Sequence, residues 1–488
     1  MGRATRCARA LAPLALVALA SSHAAQNSFS KLAVGQRISD LSADGSVAVG
    51  TSGFGHFRWS EAGGIVFLGG YGPEGAANRA KISRDGTRVC GGSVDPTSGQ
   101  YALSLYTDAS GAWTQLAGIG APCLAEVSSG GAISGDGTSI VGRGWLGCAS
   151  AHALQWHAST STSTDLGSSS SGGGSFASGT NLDGSVVVGW EEDALGSRQG
   201  AVWVNGVQTL LTDAASGLPL GEARDVSDDG TWVVGVGAIG NGYQAWRWSV
   251  ATGGQSLGML PGVFDPRGGA TAISADGRII VGFVHPDGTP EVFAEGFLWR
   301  EDLGMVGLTN WAIAMGQAVP AATLLSLPRA LSDDGSVIAG VARVGGGGAG
   351  FVMRMDELVA DRWTISRSGG GAQSLALRSA PANAGKLYVL LGSLSGTIPG
   401  VSAGSLVLPL VPDAYFAARL NAPNAPPMSG GLGFLDASAR ASATLTLPAG
   451  FDASLLGLVA HQAYAVLDVP GSGALLDVSN AVSLTLVP

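Results

Sequence analysis

The chain is 488 residues long, room for one large repeat domain with a smaller companion, or for two to four ordinary domains. Glycine supplies 78 of these residues, about twice its usual share, yet there is no Gly-X-Y period and 45% of residues are hydrophobic; this excludes collagen and a disordered tract in favour of a turn-rich β-protein. The formal net charge is −10, lysine occurs only at Lys31, Lys81 and Lys386, and no basic run follows the first ten residues, which argues against nucleic acid and anionic membranes as partners.

The first 24 residues read as an export signal. Arg3, Arg6 and Arg9 precede an apolar stretch over 11–20, and small residues then offer cleavage after Ala24, with Ala20 as a second option. The apolar stretch is too short to span a bilayer, and no later run approaches a membrane span. The mature protein is therefore expected outside the cytoplasm, secreted or at the cell surface.

A repeat follows. Asp-Gly pairs stand at Asp44, Asp85, Asp136, Asp183, Asp229, Asp276 and Asp334. Six residues after each Asp comes Gly50, Gly91, Gly142, Gly189, Gly235, Gly282 or Gly340, and two residues before it comes Ser42, Ser83, Ser134, Asn181, Ser227, Ser274 or Ser332. Asp-Gly between β-branched residues is a hairpin signal, because glycine enters the positive-φ region freely. A second apolar segment follows each hairpin, with partners two apart such as Phe57/Trp59, Trp246/Trp248 and Phe297/Trp299. Residues two apart share one face of a strand. A fourth segment follows in six copies, so one repeat is four strands, the unit of a β-propeller blade. The seventh copy lacks its fourth strand, and residues 29–35 carry that pattern, so the N-terminal strand is expected to close the ring. The expected fold is all-β: a seven-bladed β-propeller over 28–358.

This order places the Asp-Gly turns on one rim with the short turns between third and fourth strands. The long, uneven loops share the other rim, where specificity usually sits. The longest, 310–327, carries Trp311, the first candidate binding residue. Cys90 falls in a core column of the repeat. Cys123 and Cys148 flank the hairpin at Asp136, thirteen residues before it and twelve after, and are expected to form a disulfide.

The pattern stops near Asp361. Residues 359–372, containing Arg367-Ser-Gly-Gly-Gly-Ala372, read as a linker. Residues 373–488 hold longer strands without the Asp-Gly register and suggest a β-sandwich. No helix is expected after the signal segment.

The repeat resembles the HAF-type repeat of exported bacterial proteins, most closely at Ile273-Ser-Ala-Asp-Gly277 through Gly282 with Phe297-Leu-Trp299, and at Val226 through Gly235 with Ala245-Trp-Arg-Trp248. The final segment, from Val478, is similar to a C-terminal module attached to various secreted bacterial repeat proteins. The resemblance implies export and architecture and supplies no catalytic residue. It differs from the sialidase-type Asp box, since Asp and Gly are adjacent in all seven copies.

Chemistry-bearing residues are sparse. The seven aspartates are expected to be structural turn residues that accept backbone N–H bonds. The histidines His56, His152, His157, His285 and His461 form no metal-ligand spacing, and Glu191-Glu192-Asp193 reads as a solvated loop. No catalytic set, metal site or cofactor motif is expected. The composite expectation is a non-enzymatic exported scaffold that binds an extracellular protein or glycan. The alternative is a carbohydrate-active hydrolase or lyase with carboxylates on the long-loop rim.

Overall fold

The computed structural model describes residues 29–488 apart from 62, 71–78, 171, 240–241, 264–265, 302, 315–316, 334, 355–356, 363, 380–382, 398–399, 404–405 and 480. The export segment 1–24 and Asp334 lie outside the described residues. The chain divides into two compact units, Asn27–Arg354 and Met355–Pro488.

The first unit is built of four-stranded antiparallel sheets, each started by one Asp-Gly hairpin. The first runs Arg37–Leu41, Val47–Ser52, Gly55–Ser60 and Gly64–Gly69, in that spatial order. Among the described residues seven such sets of four are present, the fifth and sixth bridged into one continuous sheet at Val236 and Gly269. The last set takes Thr323–Leu331, Val337–Val344 and Gly347–Arg354, and its fourth member is the N-terminal strand Phe29–Val34, with Phe29 opposite Met353 and Lys31 opposite Phe351.

The repeated residues explain the repeated geometry. The turn glycines, such as Gly45 at φ +64° and Gly277 at φ +75°, occupy the left-handed region that a Cβ disfavours. The second glycine of each repeat faces a different constraint. A Cβ on Gly282 would collide with the Gly269 carbonyl and the Phe297 ring, and one on Gly50 with the Arg37 carbonyl and the Phe57 ring. Two residues before the turn, Ser274 Oγ donates to Asp276 at 2.7 Å and accepts from the Ile279 N–H at 3.0 Å. Where asparagine replaces that serine, Asn181 Oδ1 accepts from the Val186 N–H at 2.9 Å, filling the same role.

The residues just before the turns bond to one another around a closed loop. Ala43 N–H donates to Arg84, Arg84 to Gly135, Asp136 to Leu182, Leu182 to Asp228, Asp228 to Ala275, Ala275 to Asp333, and Asp333 back to Ala43. Apolar clusters fill the spaces between neighbouring sheets. Ile38 and Phe57 pack with Ala330, Val337 and Val352, and Val202 and Leu211 pack with Ala223, Val233 and Trp246. Cys90 is buried in one of these clusters with Leu103 and Ile140.

The structure departs from the expectations from sequence at four places, one of them a second helix, Ala414–Asn421, where none was expected. A short helix, Leu308–Ala314, occupies the crossover expected to be an open loop. Leu308 and Ala312, four apart and so on one helical face, are both fully buried, and this packing stabilises a helix that lacks strong end signals. Glu191 is buried rather than solvated. It accepts from Ser169 N–H at 2.8 Å and Gln208 Nε2 at 2.9 Å, which replaces the water a carboxylate would lose. Residues 359–372, expected to be a linker, carry the end of strand Glu357–Ala360, the strand Thr364–Ser366 and the start of Gly371–Arg378. Ile365 supplies the reason, since it is buried in the core of the second unit.

That second unit has two main sheets. One comprises Glu357–Ala360, Gly371–Arg378, Arg440–Leu447 and Met428–Ser429; the other centres on Leu387–Ser393, Val459–Leu467 and Val482–Val487. Leu375, Leu377 and Leu445 of the first share one core with Leu390, Tyr464 and Leu484 of the second. A helix, Ala414–Asn421, begins at Asp413, whose side chain accepts from the Phe416 N–H at 2.8 Å.

Candidate functional site

The six described turn aspartates are satisfied locally. Asp44 takes hydrogen bonds from Ser42 Oγ and from the N–H and hydroxyl of Ser46, and Asp85, Asp136 and Asp229 repeat the pattern with a serine before and a threonine after. Asp183 is bonded by Ser185, and Asp276 by Ser274 Oγ and the Arg278 N–H. Burial pushes the Asp44, Asp85, Asp136 and Asp229 carboxyls up, but these bonds outweigh it and hold all four below the usual value; at Asp183 the Ser185 bonds lead and act the same way. The turns between third and fourth strands share this rim: the Asp108 N–H donates to Thr87, Ala158 to Thr138 and Asn205 to Ser185.

The axis of the first unit holds the chemistry that repeat counting did not bring forward. The inner strands surround a cavity of about 120 Å³. Among the described residues, six inner strands carry a bulge five residues before the turn aspartate, at Ser39, Gly131, Ser178, Arg224, Thr271 and Arg329. A bulge turns its extra residue away from the ladder. Ser39 Oγ donates to the Ala80 carbonyl at 2.7 Å and Thr271 Oγ1 to the Pro328 carbonyl at 2.6 Å. Ser178, Arg224 and Arg329 instead line the cavity. One residue further along stand Asp40, Lys81 and Asp225. Asp40 accepts from the Ile82 N–H at 2.9 Å and Asp225 from the Ile273 N–H at 3.0 Å, so each carboxylate staples its strand to the next sheet. Lys81 Nζ lies 3.7 Å from Asp40. Burial pushes both carboxyls up, that of Asp225 to about 6. At the short-turn end, Arg84 bonds Asp228 and reaches Asp333 at 2.7 Å.

Further arginines gather near Arg224. Burial pushes Arg79 down to about 10; the positive charges of Arg224 and Arg37 add to the effect and Glu291 opposes it. Arg224 pairs with Glu222 at 2.8 Å, and Glu222 also takes Arg198 at 2.8 Å. Arg198 lies over the Trp190 ring at 4.0 Å, and Trp190 stacks on Phe176.

The long-loop face also carries a groove of about 510 Å³, lined by Phe54, Val94, Asp95, Pro96, Trp113 and Gln115 among others. Phe54 is 82% exposed and meets Phe67 edge-on at 5.8 Å. Trp113 is held by its indole N–H on the Leu68 carbonyl at 2.8 Å and packs against His56. Burial pushes His56 down to about 4, and its Nε2 lies 3.2 Å from Gly92 N. Cys123 and Cys148 are joined in a disulfide that ties the crossover before the third sheet to the loop between that sheet's second and third strands. Trp311 sits half-buried on the helix Leu308–Ala314 and lines neither cavity. Among the described residues, no group of His, Cys, Asp and Glu could hold a metal ion, and no helix is long and apolar enough to cross a membrane.

No protein-family model matches the chain, and no curated protein does. Similar solved structures exist. The β-propeller domain of the Trilobed protease from Pyrococcus furiosus is 9% identical, with a TM-score of 0.42 over 66% of this chain and 94% of that one. The fold is a β-propeller. An oligogalacturonate lyase in complex with manganese is 13% identical, with a TM-score of 0.42 over 67% of this chain and 98% of that one. TolB from Acinetobacter baumannii is 15% identical, with a TM-score of 0.33 over 55% of this chain, which spans 61% of the TolB chain. In this propeller the axial cavity and the long-loop groove are the two candidate sites.

Proposed function

We propose that this chain is an exported, non-enzymatic scaffold. In this reading residues 1–24 are removed on export, and 28–358 form a closed seven-bladed propeller of HAF-type repeats. The long-loop face binds an extracellular protein or glycan. Residues 373–488 form a β-sandwich that attaches, sorts or spaces the propeller. The observation that carries the reading is the contrast between the two faces. The Asp-Gly rim satisfies its own polar groups turn by turn, whereas the opposite face presents an aromatic-edged groove with Phe54 almost fully in solvent. An exposed aromatic beside hydrogen-bonding groups is the surface that sugars and peptide side chains both use.

The test is a glycan and protein array probed with the mature chain, with a hydrolysis screen run beside it. Phe54→Ala is expected to weaken a specific array signal at least tenfold while leaving the thermal midpoint within about 1 °C, since an exposed side chain contributes little to stability. Retention of full binding by that variant would remove the groove from consideration. A second reading, a carbohydrate-active hydrolase or lyase, is favoured by one observation: Asp225 and Asp40, both with raised carboxyls, line one cavity. Turnover that Asp225→Asn abolishes would favour it.

A further inference from the structure

The axial cavity has a donor excess that the protein does not use. Ser178 Oγ and the Arg329 Nε–H are both shielded from solvent, both belong to residues lining this cavity, and neither has a hydrogen-bond partner. Both residues sit at the bulge position of their strands, as does Arg224. At the equivalent place in the first and sixth blades, Ser39 and Thr271 bond a neighbouring carbonyl, so the bulge does not by itself leave a polar group unmatched. Unmatched buried donors are costly; other buried side-chain atoms of the chain are unmatched too, and what marks these two is that both residues line one cavity at one layer.

The charges nearby have unequal commitments. Arg84 is bound to Asp228 and Asp333, and Lys81 faces Asp40. Asp225 is engaged by two backbone N–H groups, of Ile273 and Val226. Arg224 shares Glu222 with Arg198. Arg329, Arg79 and Arg37 make no ion pair among the described residues, and Arg79 is near enough to Arg224 and Arg37 to feel their charges. This gathering of guanidinium groups occurs in a chain whose net charge is −10. Arg84 is committed to Asp228 and Asp333 at the short-turn end, which leaves the bulge layer toward the long-loop side as the place for an anion. The volume, about 120 Å³, exceeds the ~10–15 Å³ that one water needs.

We propose that the axial cavity is a binding site for an anionic group of carboxylate or sulfate size, held by Arg329, Arg224 and Ser178 and favoured by the charges of Arg79 and Arg37. A planar guanidinium donates two parallel bonds to such an oxyanion, and the Ser178 hydroxyl donates a further one. Asp40 and Asp225 line the same cavity and oppose an anion, which confines the site to the bulge layer. The ligand is a free oxyanion or the charged substituent of an acidic saccharide. The site is separate from the groove at Phe54 and does not depend on what that groove binds.

The experiment is calorimetric titration of the mature chain, in low-salt buffer at neutral pH, with inorganic sulfate, with D-glucuronate and with neutral glucose. Saturable binding of sulfate or glucuronate, with none of glucose, is expected. Arg329→Gln is expected to weaken it at least tenfold and Ser178→Ala about two- to fivefold, while Arg278→Gln, exposed on the opposite rim, leaves it unchanged. Glucuronate binding would identify an acidic saccharide as the source, and sulfate binding alone a free oxyanion. Absence of saturable binding by either anion overturns the proposal, because the cavity then holds only water. Binding that survives both Arg329→Gln and Ser178→Ala overturns it equally. If Arg329→Gln fails to fold, Ser178→Ala decides alone, since its hydroxyl makes no bond in the structure whose loss could unfold the chain. A negative result leaves the Phe54 array signal untouched, so the two readings fail separately.

Discussion

Ser274 shows how one small side chain holds a blade. Its hydroxyl is the partner of the buried Ile279 N–H, and it orients Asp276. Ser274→Ala is expected to cost about 1–3 kcal/mol, the penalty of an orphaned buried donor, read as a lower urea midpoint. Ser274→Asn should recover part of that loss, because Asn181 does the same work in the fourth blade. Charge burial predicts a pH dependence with two opposing parts. Asp225 titrates at about 6 when folded against 3.8 as its ordinary value, because burial disfavours its charge. Between those pH values the folded state holds more protons than the unfolded, so the contribution of Asp225 shrinks as pH rises through that window. His56, pushed down to about 4 from 6.5, holds fewer protons when folded, so its contribution is present above pH 6.5 and is lost as pH falls toward 4. Asp225→Asn keeps an acceptor for the Ile273 N–H and is expected to gain about 1–2 kcal/mol at pH 7.5, with the gain gone near pH 4. Urea midpoints at both pH values check this, and a variant less stable at pH 7.5 would mean that the Lys81 attraction outweighs burial.

Strands, turns and loops add a level that single residues do not contain. The disulfide between Cys123 and Cys148 closes a loop of 25 residues in sequence separation, for which chain entropy gives a stabilisation of about 2–4 kcal/mol. Cys148→Ser is expected to lower the thermal midpoint and to raise protease sensitivity first within 117–127, which limited proteolysis with mass mapping would show. The Asp-Gly hairpins were legible because their signal is local: a positive φ at glycine and a serine two residues before the turn. The helix Leu308–Ala314 was not, since seven residues with no capping side chain have little helical preference alone, and only the burial of Leu308 and Ala312 stabilises it. The stretch 359–372 failed for the same reason in the other direction. Its glycines read as a linker, but Ile365 found a core to enter. The axial site was half-legible. Four residues before each turn aspartate stand Asp40, Lys81, Ala132, Gly179, Asp225, Ala272 and Ala330, and charges in a column otherwise small are a signal that the repeat alignment already contained.

For the whole molecule, ring closure is the decisive event. The strand Phe29–Val34 covers the edge strand Gly347–Arg354, and seven backbone hydrogen bonds beside the turns complete a circle. A chain starting after residue 35 leaves that edge bare. It is expected to have a lower thermal midpoint and to form soluble aggregates that grow with concentration, measured by light scattering during size-exclusion chromatography; a monodisperse product with unchanged midpoint would contradict this. By itself the sequence determined the all-β class, the repeat and its turns, because each rests on backbone sterics and on periodicity within one segment, and the partner of the N-terminal strand, because the seventh copy lacks the one strand that residues 29–35 supply. The tertiary structure alone decided which polar side chains meet. Ser178, Arg224 and Arg329 come from three different blades, and only the radial arrangement of the sheets, with a bulge in each of their inner strands, brings them to one axis. Burial there, a property of the assembled ring and not of any one segment, is what leaves Ser178 and Arg329 without partners and raises Asp225.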